Sequence, residues 1–257
     1  MQAMKTAIVT GASGGMGRDI VADLVADHKV YALGRNQAEL DALVAEHGDA
    51  VVALRADLVA EMSRGADAGK ETADNAASGV LADGALAALA ELDEVHTLVH
   101  AAAIAHNHSV DSATVADWQA HFDINVTAPA WLTQQLLPAL RRGGATVVFI
   151  NSGAGRNTSA GNVVYCASKH ALYALADGLR KGELDLRVST VAPGPTDTAM
   201  FKGLQGDYNP EHVIAPVEVA RAIRAVVDAG PTTQLTEVQV RPRIELADRA
   251  ARDAKDS

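Results

Sequence analysis

Residues 6–27, TAIVTGASGGMGRDIVADLVAD, run from a β-branched segment through a glycine-rich turn into a helix-like stretch. Gly11, Gly15 and Gly17 fall in the turn. Glycines between a strand and a helix allow a tight turn and the close approach of a pyrophosphate, whose charge is then met by free N–H groups at the helix N-terminus. A glycine pattern alone is a weak signal. Its strand–turn–helix setting is what makes nucleotide binding the expectation here.

The alternation continues outward from this stretch. KVYAL (29–33), VVALR (51–55), HTLVH (96–100), TVVFI (146–150), RVSTV (187–191) and EVQV (237–240) read as strands separated by helix-sized, Ala/Leu-rich spacers. Strands apolar at successive positions predict a parallel sheet covered on both faces. The expected fold class is α/β, a Rossmann-type doubly wound parallel sheet of about seven strands with helices on both faces. A chain of 257 residues can bury one sizeable core, so residues 1–257 are read as a single domain. Residues 59–82 are small, polar and without a sustained apolar period, which predicts a surface insertion after the third strand. The charged end, 248–257, reads as a frayed tail.

Composition narrows the function classes. The net charge is −10 and no Lys/Arg-rich run occurs, so there is no electrostatic footprint for nucleic acid or for an anionic membrane. No stretch approaches membrane-spanning length and no signal-peptide pattern precedes the first strand, which predicts a cytoplasmic protein. Cys166 is the only cysteine, so neither an intrachain disulfide nor a cysteine-based metal site is expected. His106 and His108 offer two imidazoles without a third ligand; no metal is predicted.

The end of the second strand bears on the nucleotide. Dinucleotide sites for NAD usually place a carboxylate there for the ribose 2′-OH, whereas an arginine accommodates a 2′-phosphate. Gly34 stands at the acidic position and Arg35 follows. A guanidinium can hold a phosphate with two hydrogen bonds, so NADP(H) is expected over NAD(H).

The segment YCASKH (165–170) puts a phenol and an ammonium four residues apart, on one face of a helix. Tyrosine, with a pKa near ~10, is a poor proton carrier at neutral pH, and lowering it by three units takes about 4 kcal/mol. A cation ~4 Å away supplies about 1 kcal/mol in water and about 4 kcal/mol at an effective dielectric near 20. Such a pair serves proton transfer only if it is partly shielded.

Taken together, the T-G-x-x-x-G-x-G turn at 10–17, Asn125 in DINVTAP, Ser152 in INSGAG, YCASK at 165–169 and APGPTDT at 192–198 resemble the compact, single-domain branch of the short-chain dehydrogenase/reductase family. The likeness covers nearly the whole chain. It implies that Tyr165 donates or accepts the proton, that Lys169 binds the nicotinamide ribose and lowers the tyrosine pKa, and that Ser152 holds the substrate oxygen. It further implies that Asn125 orders a water linking Lys169 to solvent. Gly11, Ser13, Gly15, Met16 and Gly17 would hold the pyrophosphate side, Asp57 and Leu58 the adenine, and Pro193, Gly194, Thr196 and Thr198 would cover the nicotinamide. The resemblance also implies a homodimer or homotetramer and a small carbonyl or alcohol substrate.

The sequence departs from the family pattern after the fourth strand, where His100-Ala101-Ala102-Ala103 replaces an Asn-Asn-Ala-Gly-like stretch. This predicts the loss of a polar tie between strands and a tighter adenosine side. Met200, Phe201 and Tyr208 are expected to wall the substrate space. A non-catalytic NADP(H)-sensing protein stands as the alternative, and it would bind the cofactor without consuming it.

Overall fold

The computed structural model describes residues 4–68 and 86–253. β1 (Lys5–Thr10) leads into α1 (Met16–Leu24), β2 (His28–Gly34) into α2 (Gln37–His47), and β3 (Val51–Arg55) into α3 (Leu58–Ala68). After the short α4 (Ala87–Ala90) come β4 (Thr97–His100) and α5 (Val115–Phe122), which passes through a π-helical turn at Asp123–Thr127 into α6 (Ala128–Gly143). β5 (Thr146–Ile150) precedes α7 (Val163–Gly182), and β6 (Arg187–Pro193) precedes α8 (Ala199–Gln205) and α9 (Pro216–Val227). β7 (Glu237–Val240) and α10 (Leu246–Asp253) follow.

All seven strands pair in parallel, in the order β3-β2-β1-β4-β5-β6-β7. The order reverses between β1 and β4, and a doubly wound sheet opens a crevice at the carboxyl ends of its strands at that point. Side-chain alternation divides the core into two layers. Ala7, Val9, Val148 and Ile150 face α1, α2 and α9, where Ile20, Leu24, Leu40 and Ile223 meet them. Ile8, Val147 and Phe149 face the other way, onto Leu132 and Leu136 of α6 and Leu172 of α7.

Polar fastenings hold the outer layers. The Arg224 guanidinium on α9 reaches Asp23 at 2.6 Å and Asp27 at 2.9 Å, tying α9 to α1 and to the loop behind it. Thr114 and Asp117 form a reciprocal capping box that starts α5. Gly144, in the left-handed region, ends α6.

The structure corrects two expectations. Residues 59–68 of the supposed insertion belong to α3, whose first turn is buried through Leu58 and Glu61; residues 69–82 lie outside the described residues. Residues 248–253 of the supposed tail are helical, in α10, and 254–257 lie outside the described residues. Among the described residues, no helix is long and apolar enough to cross a membrane.

Candidate active site

At the β1/β4 switch point lies a cleft of about 950 Å³, lined by Gly11, Ser13, Gly15, Met16 and Gly17 from the glycine turn, by Arg35 after β2, and by Asp57 and Leu58 after β3. The turn needs its glycines for different reasons. Gly11 has φ +68°, and a Cβ there would stand 2.8 Å from the Ala102 nitrogen. A Cβ at Gly17 would come within 2.1 Å of the Gly11 carbonyl oxygen. At Gly15, with φ +52°, the nearest atoms are the Thr198 side chain at 3.7 Å, which leaves the backbone open to the cleft. No side chain caps the N-terminus of α1; the Gly17 N–H turns back to the Gly14 carbonyl at 3.1 Å, and the other N–H groups of the first turn can meet an anion.

The two other cleft walls carry finer detail. Gly34 sits against Ser13, whose Oγ would lie 2.4 Å from a Cβ at position 34. The missing carboxylate therefore goes with a serine that fills its space. The Asp57 Oδ1 accepts from the N–H groups of Val59 and Ala60 at 3.0 and 3.3 Å, so this side chain starts α3 as well as lining the cleft. Ala101, Ala102 and Ala103 complete the lining. The expected loss of a polar tie here is corrected by Thr10, whose Oγ1 accepts from the N–H groups of Ala101 and Ala102 at 3.1 Å each and joins β1 to the end of β4. His100 turns into the apolar layer, where its Nε2 meets the Thr133 hydroxyl at 2.8 Å and its ring stacks on Phe149. Complete burial pushes its pKa down to about 3, so it stays neutral.

The groups singled out for chemistry meet beside this cleft, off its lining. Tyr165 and Lys169 lie on the inward face of α7, 9% and 2% exposed. The Lys169 ammonium is 5.7 Å from the centroid of the Tyr165 ring and donates to the Ile150 carbonyl at 3.0 Å. Burial acts on both in the direction of neutrality: it pushes the phenol up to about 12, with the Ser152 hydroxyl acting in the opposite direction, and brings the lysine down to about 7. Desolvation is the largest cause of both shifts. Ser152, at the end of β5, accepts from the Ala154 N–H at 3.2 Å, which leaves its own proton free to donate.

Asn125 occupies the π-helical turn between α5 and α6 and is fully buried. Its Oδ1 accepts from the Ile104 N–H at 2.9 Å, while its Nδ2 donates to the Ile104 carbonyl and the Ser168 hydroxyl, both at 3.0 Å. Both amide protons are committed, which makes this side chain a fastener of the loop after β4. Pro193 ends β6, Gly194 after it lies against Arg241 and Pro242, and Thr196 bridges to Ile214, all three off the cleft lining, whereas Thr198 lines it and caps α8 by accepting from the Phe201 N–H at 3.2 Å.

Several participants were not read from the sequence. Asn151 accepts from the Ser152 N–H at 2.9 Å and donates to the Lys169 carbonyl at 3.2 Å, linking β5 to α7. His121 accepts from the His106 N–H at 3.2 Å and donates from Nδ1 to the Asp117 carbonyl, so both its nitrogens are engaged. Only the Asn-Ser dipeptide at a strand end hinted at the first, and nothing local marked the second.

A second cleft of about 360 Å³ opens between residues 103–107 and α8, with Met200 shared by both clefts. Phe201 and Tyr208 pack on each other, ring centroids 4.9 Å apart, and Tyr208 donates to Asp197 at 2.8 Å. Of the three expected walls, then, Met200 lines the open space, while Phe201 on α8 and Tyr208 after it pack on each other off the lining. Cys166 is buried on the same helix as Tyr165, and among the described residues no group of three or more metal-ligating side chains is arranged around a common point.

Residues 5–209 match a family model described as short chain dehydrogenase. Nodulation protein G of Rhizobium sp. (strain N33) is 30% identical over 221 residues, spanning 84% of this chain and 83% of that protein. A Corynebacterium glutamicum crystal structure, named for the short-chain dehydrogenase/reductases, is 44% identical with a TM-score of 0.66, covering 93% of this chain and all of the other. The alcohol dehydrogenase of Thermococcus sibiricus, complexed with 5-hydroxy-NADP, shares the fold at a TM-score of 0.78 and 20% identity, covering 94% of this chain and 97% of that one.

Proposed function

The chain belongs to the short chain dehydrogenase family, and on that footing we propose that it is an NADP(H)-dependent oxidoreductase that interconverts a carbonyl and an alcohol on a small molecule. The observation that carries this reading is the meeting of Ser152, Tyr165 and Lys169 beside a glycine-lined cleft with an uncapped helix N-terminus. The cleft residues fit a dinucleotide: Gly15 leaves the backbone accessible, α1 offers N–H groups to the pyrophosphate, and Asp57 with Leu58 would border the adenine. Arg35 beside Gly34 supports the 2′-phosphate form, since no carboxylate at position 34 repels it. Pro193, Gly194, Thr196 and Thr198 would border the nicotinamide side.

When bound, the nicotinamide supplies or takes the hydride. The protein's own part is proton transfer and charge placement. Tyr165 protonates the carbonyl oxygen in reduction and takes the proton back in oxidation. Its buried phenol is too weak an acid alone, so it depends on the Ser152 hydroxyl, on Lys169 and on whatever positive charge binds beside it. Ser152 donates its free proton to the oxygen on which negative charge develops. Lys169, held to Ile150, would bind the nicotinamide ribose and, once charged, favour the phenolate.

Titration with NADPH and NADH, followed by absorbance at the reduced-nicotinamide band with a panel of ketones, aldehydes and alcohols, tests the reading. Turnover with NADPH preferred, and a preference lost in Arg35→Ala, is the expected result. Tight NADPH binding with no turnover across the panel would replace catalysis with sensing.

A further inference from the structure

Ser152 takes its orientation from the turn that follows it. Its Oγ is fixed by the Ala154 N–H, and the turn closes through Gly155 N–H to the Ser152 carbonyl at 3.0 Å and Asn157 N–H to the Gly153 carbonyl at 2.9 Å. This turn rests on Tyr173, two helical turns beyond Tyr165 on α7: a Cβ at Gly155 would stand 2.7 Å from the Tyr173 ring. The Arg156 guanidinium lies over the same ring, its Cζ 3.8 Å from the centroid, and Nη2 donates to Glu237 at 3.0 Å. The Tyr173 hydroxyl donates to the other Glu237 oxygen at 3.1 Å. One carboxylate on the last strand thus receives from both the turn and the helix that carries Tyr165 and Lys169.

We propose that Arg156, Tyr173 and Glu237 form a clamp that positions the Ser152 hydroxyl for the reaction, as positioning residues that never touch the substrate. This rests on the role of Ser152 proposed above. The Arg156 and Glu237 side chains are 54% and 30% exposed, and an ion pair so accessible adds little to global stability. Its effect falls instead on placement of a hydroxyl, to which rates are sensitive at the ångström scale.

The test is a double-mutant cycle of Arg156→Ala with Ser152→Ala, read as kcat with NADPH and the fastest carbonyl of the panel. Arg156→Ala is expected to lower kcat about tenfold in the parent, to leave the KM for NADPH within about twofold, and to change kcat less than about twofold in the Ser152→Ala background. Arg156→Lys restores part of the loss. In alcohol oxidation the rising limb of the pH–rate profile moves to higher pH, because a misplaced Ser152 stabilises the Tyr165 phenolate less. Equal losses in both backgrounds, or none in the parent, would overturn the clamp. If Ser152→Ala keeps the parental rate, the role of Ser152 itself fails, a different outcome from additivity. Should Arg156→Ala not fold, Tyr173→Phe keeps the ring and removes only the hydroxyl, and the same non-additive pattern is required of it.

Discussion

At the scale of single residues, the site combines groups whose charged forms are costly where they stand. Tyr165→Phe removes one oxygen from a buried ring, so turnover is expected to fall at least a thousandfold, on the order of losing a whole proton-transfer group, while NADPH titration stays nearly unchanged. Full activity would remove Tyr165 from the mechanism. Lys169 has its pKa lowered to about 7 by burial, against about 10.4 in an unfolded chain. Between those values the unfolded state holds more protons, so this residue makes stability rise with pH across the window from about 7 to 10.4; below it the full penalty for burying the ammonium remains. Lys169→Met is therefore expected to be inactive yet more stable than the parent at pH 6, by roughly 4 kcal/mol for a shift of about three units at about 1.4 kcal/mol each, with the advantage vanishing towards pH 10. Thermal melts across that range check it; a constant difference in Tm would mean that the lysine is charged and compensated. The pair was legible because a phenol and an ammonium at i, i+4 make little sense on an ordinary surface. Asn125 was legible as a motif residue, but its grip on Ile104 was not, because no spacing reveals that a helix takes a π turn there.

Among elements, the strands were read to within a residue or two at most ends, since a strand buried on both faces is apolar at every position and leaves no ambiguity with a solvated helix. α3 and α10 were missed for the opposite reason. Their alanines and charges read as small and polar, yet alanine is the strongest helix former, and for α3 Asp57 ahead of Leu58 was the available start signal. The coupling of β2 to the glycine turn leads to a prediction about nucleotide choice. A carboxylate at position 34 must displace the Ser13 hydroxymethyl group, which would stand 2.4 Å from its Cβ. Gly34→Asp alone is expected to weaken both NADPH and NADH, whereas Gly34→Asp with Ser13→Gly recovers NADH selectively. Fluorescence titration of the two nucleotides decides it, and a clean switch by the single substitution would show that Ser13 moves aside freely.

Across the whole molecule, the first and last thirds of the chain are joined on one face of the sheet. Arg224 bridges Asp23 and Asp27 from a partly buried position, and hydrogen bonds to charged groups contribute about 1.5–3 kcal/mol each. Arg224→Ala is expected to lower unfolding free energy by about 1–3 kcal/mol in chemical denaturation while the folded fraction keeps its kcat. A loss of turnover per folded molecule would place this tie in the conduct of the reaction. The same joint sets an order of events at birth. The apolar side of α1 is covered by Ile223 and its neighbours, roughly two hundred residues downstream, and a ribosome adds about 5–20 residues per second. For about 10–40 s the newborn nucleotide-binding unit carries a bare greasy flank, a window in which chaperones, and not the finished enzyme's stability, decide how much of it survives.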